Sequence, residues 1–483
     1  MSPLPKILLI HPSFSAEEHY GKLSRVAPSL LPVSLVYLAS YMEQHGYEVS
    51  IFDGQVEEMS ETTLRRRFTA DKPDVVGITC MTPMAAEAHR TAAIAKETLP
   101  DALVVMGGIH PTILPEETMA DAHVDVLVRG EGELTFLELV KTWSDNEALG
   151  SVPGLTYRED GRVVHTAARP FIEDLDTLPF PALHLIPMER YHQIPDATFA
   201  LPLRGIITSR GCPFKCIFCS ARQISGFKYR YRSPENVLEE VDILVRDYGA
   251  RQLAILDDNF VVDRDRTMGI CEGLIRRGYH KRLVYTCAAR ADQVDLELLK
   301  TMKRSGCKLV SFGVETGTQR LLDLIQKDLD QAQLRTATSA AKRAGLLVRG
   351  TLILGLPTET YEDSLATIRF AKELALDFVK FSLATPYPGT VLYDIAKRQG
   401  LVDDRDWSRF SSMAGFTDYD PVFAPEGRSA AELKQLQMKA TREFYLRPRQ
   451  IMYLIRNIHS FKDMKMYFYA AQSLLASKYR RRS

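Results

Sequence analysis

Short apolar runs alternate with amphipathic stretches over the first third of the chain. KILLI (6–10), YEVSIFD (47–53), DVVGIT (74–79), ALVVMGG (102–108) and DVLVRGEGE (125–133) read as strands. Between them, 32–45, 62–69 and 84–99 read as helices. Strands alternating with helices imply a parallel sheet covered on both faces, a doubly wound α/β domain over residues 1–145. Sheets of this kind bind ligands at the carboxyl ends of their strands. Those ends carry His11-Pro12, Asp53-Gly54, Thr79 to Pro83, Gly107-Gly108-Ile109-His110 and Gly130-Glu131-Gly132.

Residues 146–203 break the rhythm. GLTYREDGRVVHT (154–166) reads as a hairpin around Asp160-Gly161. Pro170, Pro179, Pro181, Pro187, Pro195 and Pro202 then preclude a long helix, so the segment is expected to be a linker wrapping between domains. From Arg204 the alternation resumes, with strands GIITS (205–209), LAILDD (253–258), LVYTCAAR (283–290), LVSFGVET (309–316), LVRGTLILG (347–355) and FVKFSLA (378–384). Helices are expected near 234–248, 264–277, 295–305, 318–325, 330–344 and 360–375. Six such βα units fall two short of a closed eightfold barrel, so 204–400 should form an open partial (βα)6 barrel. Residues 401–483 read as a mainly helical subdomain ending in the basic tail 478–482.

Charge and hydropathy narrow the classes. Sixty-one basic residues balance sixty-one acidic ones, which argues against a bulk attraction to nucleic acid. No apolar run approaches the ~20 residues of a membrane-spanning helix, and MSPLPKILLIHPSF reads as a first strand, not a signal peptide. A cytoplasmic protein without a transmembrane segment is expected. The segment 464–477, with Tyr467, Phe468, Tyr469, Leu474 and Leu475, would suit a membrane surface, an apolar substrate or plain terminal-helix packing.

The chemistry concentrates in Cys212-Pro-Phe-Lys-Cys216-Ile-Phe-Cys219. The other four cysteines, Cys80, Cys271, Cys287 and Cys307, are scattered and read as packing residues. Seven is an odd number, so full disulfide pairing is excluded, and clustering in a signal-less chain favours metal binding. A structural zinc would want a fourth ligand nearby, and a redox dithiol of Cys216 and Cys219 would leave Cys212 without a role. Three thiolates on a four-iron cube leave one iron open for a ligand.

This spacing, with Phe218 before the last cysteine, resembles the radical S-adenosylmethionine (SAM) superfamily, and the resemblance spans most of 204–395. It implies a 4Fe-4S cluster on the three cysteines, with SAM chelating the open iron. It also implies SAM contacts from Phe218, from Asp258 in Asp257-Asp258-Asn259-Phe260, from Arg290 and Glu315 at the ends of the third and fourth barrel strands, and from the Gly355-Leu356-Pro357 turn. Pro386-Tyr387-Pro388-Gly389-Thr390 follows the sixth strand. Each has an ordinary alternative: Asp257 as a loop cap, Arg290 with Glu315 as an ion pair, Gly355-Leu356-Pro357 as a turn alone.

Upstream of such a core, TCMTP (79–83), GGIHP (107–111) and RGEGE (129–133) resemble the cobalamin-binding subgroup. The fold implied is a Rossmann-like cobalamin domain, with Thr79, Thr82, Gly107, Gly108, His110, Gly130, Glu131 and Gly132 around the cofactor. The Asp-x-His-x-x-Gly motif that binds cobalt in many cobalamin domains is missing. Asp121-Ala-His123 runs on to Val126 after the wrong strand, and Asp53-Gly54-Gln55 supplies no histidine. The expectation is therefore no protein histidine on cobalt, a lower face covered by roughly 11–32, and polar contacts from His11 and His110.

In order and length the chain is similar to the family of the anaerobic magnesium-protoporphyrin monomethyl ester oxidative cyclase and its methylase relatives, including the stretch Arg442-Glu443-Phe444-Tyr445-Leu446-Arg447. That implies reductive cleavage of SAM to a 5′-deoxyadenosyl radical, hydrogen abstraction from a small-molecule substrate, and methyl transfer from methylcobalamin to an unactivated carbon. Cyclisation, ring rearrangement or hydroxylation with cobalamin as electron carrier is the alternative, and a non-catalytic cofactor sensor is a more distant one. A low-potential donor such as flavodoxin or ferredoxin is implied as well. No general base stands out.

Overall fold

The computed structural model describes residues 3–13, 15–26, 31–191 and 198–456. The apolar segment 464–477 and the basic tail 478–482 lie outside the described residues. Among the described residues no helix is long and apolar enough to cross a membrane.

The first sheet contains β1 (Ile7–His11), β2 (Val49–Asp53), β3 (Val75–Thr79), β4 (Leu103–Gly107), β5 (Val126–Val128), β6 (Leu155–Glu159) and β7 (Arg162–His165). Its order is β2-β1-β3-β4-β5-β6-β7, with the first five strands parallel. All five residues of β1 are buried, as expected for a strand covered on both faces. The chain reverses direction across the sheet between β1 and β3, which is where ligands settle in this topology.

Two segments differ from the sequence reading. The hairpin at Asp160-Gly161 is not free linker: β6 and β7 extend the first sheet antiparallel to β5 and cover its open edge. Its turn has φ 49° at Asp160 and 76° at Gly161, both left-handed. The stretch after Gly108 is two short helices, Ile109–Ile113 and Pro115–Met119, and the strand read through 133 stops at Val128, with a helix beginning at Gly132.

The second sheet contains β8 (Leu203–Ile206), β11 (Gln252–Ile255), β12 (Val284–Ala289), β13 (Cys307–Glu315), β14 (Leu347–Leu354) and β15 (Phe378–Leu383). The strands run in chain order and all parallel, an open six-stranded partial barrel. β9 (Ser209–Arg210) and β10 (Arg230–Tyr231) form a separate antiparallel ribbon. The helices obey their end signals. Asp330 with Gln333, and Thr360 with Asp363, form reciprocal capping boxes, and Gly306 closes Leu296–Ser305 in a left-handed conformation. β14 alternates strictly between buried and half-buried positions. Its half-buried Thr351 and Ile353 border an unfilled interior cavity. That open interior makes room for chemistry.

The two sheets are joined through buried polar contacts. Tyr37, on helix Val33–Gln44, donates its hydroxyl to Glu240 at 3.2 Å, and Arg232 pairs with the same carboxylate. After the barrel the chain returns to the first domain: Trp407 donates to Glu117, and Ser411 Oγ donates to the His19 carbonyl at 2.8 Å. Helix Ala430–Tyr445 packs on β15, where Gln437 donates to the Phe381 carbonyl at 2.8 Å.

Candidate functional site

Cys212, Cys216 and Cys219 lie on the loop between β9 and β10, all free thiols and all partly exposed. Asp257, at the end of β11, fixes the approach to this loop. Its carboxylate accepts from Thr208 N (2.6 Å), Thr208 Oγ1 (2.5 Å) and Ser209 Oγ (2.6 Å), so it is the loop brace and not a ligand group. Burial pushes all three thiols up, Cys219 to about 11. The positive charges of Arg290 and Lys327 partly oppose this at Cys212 and Cys216. Such thiols are neutral until a metal displaces their protons. Among the described residues no three Cys, His, Asp or Glu side chains converge on one point as a single ion requires. Three free thiols on one loop could hold a cluster whose irons are ligated one by one.

Two cations stand beside the loop. The Arg290 guanidinium lies 3.5 Å over the Phe214 ring, donates to Asp292 Oδ1 at 3.1 Å and to the Lys327 carbonyl at 2.7 Å, and keeps a buried Nη1 without a partner. Lys327 Nζ pairs with Glu315 Oε1 at 2.7 Å, both side chains 8% exposed. Burial alone would lower the lysine, but Glu315 and Cys216 hold it above its ordinary value. Arg290 and Glu315 are thus each ion-paired, but not with one another. Glu315 also sits at φ 62°, an uncommon conformation for a side chain of its size, at a register shift between β13 and β14. Lys327 escaped the sequence reading because nothing in Leu324-Ile-Gln-Lys327 marks it.

A cavity of about 250 Å³ opens beside this pair, lined by Phe218 and Glu315 together with Thr351, Ile353, Ser382 and Thr385. It unites two of the sequence-read SAM positions. Gly355, Leu356 and Pro357 are not among its lining residues; Leu356 is fully buried and its amide donates to Glu359 at 2.8 Å.

A second cavity, about 450 Å³, lies between the domains and is bordered by Ile224 and Ser225, downstream of the three cysteines. Thr79, Gly107, Gly108, Gly130, Glu131 and Gly132 line it from the first sheet, and Asp258, Leu256, Ser209 and Arg210 from the barrel. Asp258 therefore belongs with the first domain's loops and is not among the residues lining the smaller cavity. Side chains are absent where the walls must recede. A Cβ on Gly130 would meet nothing within 4 Å, and one on Gly108 (φ 112°) would lie 2.8 Å from the Cys80 carbonyl oxygen. Thr82 and His110 are buried but do not line this space. His110 stands edge-on to Trp407 with ring centroids 5.6 Å apart; neither ring nitrogen has a partner, and burial lowers it to about 4. His11 is committed elsewhere, 2.8 Å from Asp53 Oδ1, with the Tyr191 hydroxyl donating to Asp53 Oδ2 at 2.5 Å. Glu131 is paired with Arg210 and Arg230.

Two family descriptions match the chain: a B12 binding domain over residues 23–140 and the radical SAM superfamily over 206–371. The chain is 36% identical over 431 residues to an uncharacterized methyltransferase of Pyrococcus horikoshii, covering 89% of this chain and 91% of that protein. It is 31% identical over 450 residues to the anaerobic magnesium-protoporphyrin IX monomethyl ester cyclase of Rubrivivax gelatinosus, covering 91% and 77%. Among solved structures, the fold matches the radical SAM methyltransferase TsrM of Kitasatospora setae with a TM-score of 0.71 at 18% identity, over 92% and 90% of the two chains.

Proposed function

The chain belongs to the cobalamin-dependent radical SAM methyltransferase family, and from that premise we propose that it methylates an unactivated carbon of a small molecule in the cytosol, drawing electrons from a low-potential donor. The observation that supports this is that one excursion, 211–229, borders two cavities: Phe218 lines one together with Glu315, and Ile224 and Ser225 line the other together with the glycine loops of the first domain and Asp258. Bound there, the cluster supplies one-electron cleavage of SAM and cobalamin a transferable methyl group.

The chain's own residues do the rest. Cys212, Cys216 and Cys219 would hold the cluster, and Lys327 and Arg290 offset the negative charge that thiolate ligation brings to a buried loop. The unpartnered Arg290 Nη1 and the Glu315–Lys327 pair offer complementary charges to the amino and carboxylate groups of SAM. Glycines 107, 108, 130 and 132 let backbone approach a large flat ligand, and Leu256 and Met81, both exposed in the inter-domain cavity, give it apolar cover. Phe218 and Ile353 give the smaller cavity apolar walls that a bound substrate would close against solvent.

The test is anaerobic reconstitution with iron, sulfide and hydroxocobalamin, then strong reductant and methyl-labelled SAM. We expect about four irons per chain, release of 5′-deoxyadenosine, label on the bound cobalamin, and loss of deoxyadenosine in Cys216→Ala. Deoxyadenosine with unlabelled cobalamin would favour the electron-carrying chemistry that likeness to the cyclase suggests. No SAM cleavage with both cofactors bound would sink both readings.

A further inference from the structure

The cysteine loop is an excursion of residues 211–229, and it leaves and rejoins the fold through a ribbon of two residues per strand. In that ribbon Arg210 and Arg230 are directly opposed partners. Two guanidiniums facing each other across so short a ladder repel, and a two-residue pairing supplies few backbone bonds to resist them. The compensation comes from the other domain. Glu131 Oε1 lies 3.2 Å from Arg210 Nη1 and 2.9 Å from Arg230 Nη2, and its Oε2 accepts from Arg230 Nη1 at 2.9 Å and from the Ile172 amide at 2.9 Å. Glu133 takes the second arm of Arg210 at 2.5 Å. Arg230 is further held by the Ile172 carbonyl at 2.7 Å and by stacking 4.7 Å over Phe171.

Glu131 thus receives four donors, which leaves its two oxygens no capacity for a further strong ligand. Its side chain is 5% exposed, yet its neighbours Gly130 and Gly132 line the inter-domain cavity. One short loop therefore presents backbone to whatever fills the cavity and a carboxylate to both feet of the cysteine loop.

We propose that Glu131 is a positioning residue: it clamps residues 210 and 230 to the first domain, so that filling the inter-domain cavity orders the cysteine loop. This rests on the reading of that cavity as the cobalamin site, but the clamp exists whether or not the cavity is filled. The two can therefore fail separately.

The experiment uses the full chain and hydrogen–deuterium exchange over 207–232, with and without hydroxocobalamin. In cobalamin-free protein, Glu131→Gln should speed exchange of this segment about tenfold, and Arg230→Lys, which keeps the charge but loses the two-armed contact, should do so less. Glu138→Gln, on the helix that begins at Gly132 and paired with Arg169 and not with the ribbon arginines, should leave it unchanged. In the parent protein hydroxocobalamin should slow exchange at 207–232. In Glu131→Gln saturating hydroxocobalamin should no longer slow it. Unchanged exchange in both cobalamin-free variants would overturn the clamp. A tenfold loss of hydroxocobalamin affinity in Glu131→Gln, with exchange unaltered, would make Glu131 a ligand contact and overturn it too. If hydroxocobalamin fails to bind the parent while the variants still loosen the loop, the clamp stands and the cobalamin reading falls.

Discussion

Replacing Lys327 with methionine tests the electrostatics of the cysteine loop. Methionine keeps most of the side chain's length and leaves the Lys327 backbone, which accepts from Arg290, in place. It strands the buried Glu315 carboxylate, whose described hydrogen-bond partner is Lys327 Nζ. Breaking a buried ion pair from one side destabilises by about 3–5 kcal/mol, because an uncompensated charge remains. Glu315 also borders the smaller cavity, where water can reach it, so the lower end, about 3 kcal/mol, is expected. Glu315→Gln strands the lysine and should lose a similar amount. The double variant, with two uncharged groups in the same space, should lose only about 1 kcal/mol, far less than the sum. Urea unfolding of cluster-free protein at pH 7.5, followed by far-UV circular dichroism, measures all four forms. Single variants losing less than about 1 kcal/mol, or a double variant losing the sum of the singles, would refute the claim that this pair is a buried, mutually compensating unit.

Three further outcomes follow from particular contacts. Glu359 is buried and its carboxyl is raised from 4.5 to about 7, by burial first and against the hydrogen bonds of Ser364 and Leu356. The folded state then holds this proton more tightly than the unfolded chain, so stability falls as pH rises from 4.5 through about 7 and levels off above, by at most about 3 kcal/mol. Subtracting the stability of Glu359→Gln from that of the parent across pH 5–8 should isolate this slope, and a flat difference would contradict it. Gly108→Ala forces a Cβ to 2.8 Å from the Cys80 carbonyl at φ 112°, so it should lower the melting midpoint by the equivalent of about 2 kcal/mol and weaken hydroxocobalamin binding; unchanged calorimetry would show that the loop yields freely. Asp257→Ala removes three hydrogen bonds from residues 208–209 and should lower stability by about 3 kcal/mol and reduce iron retained after desalting. Full iron retention would mean that the cysteine loop does not need its brace.

Much of the architecture was legible because it is written in short-range periodicity. The six barrel strands and the six helices read between them all form, and alternation of apolar runs with amphipathic ones forces such a chain into layered parallel sheets whatever its details. The cysteine spacing is equally local: three thiols within eight residues share a loop in any compact fold.

The pairings that give those residues their roles are not local. The resemblance of RGEGE places Glu131 near a cofactor, but nothing local marks its partners: Arg230 lies 99 residues away and Arg210 lies 79 away. Tyr37 meets Glu240 across 203 residues, and Trp407 meets Glu117 across 290. No period in the sequence encodes which charge faces which, because that depends on how two separately formed sheets dock. The hairpin tells the same story. Its turn residues announced two strands, but only the bare edge of β5 decided that they would complete the first sheet and not stand apart as linker. The sequence thus determined the elements and the donor atoms. The tertiary structure decided which buried charges neutralise one another, since an ion pair withdrawn from water is stable only where both partners arrive together.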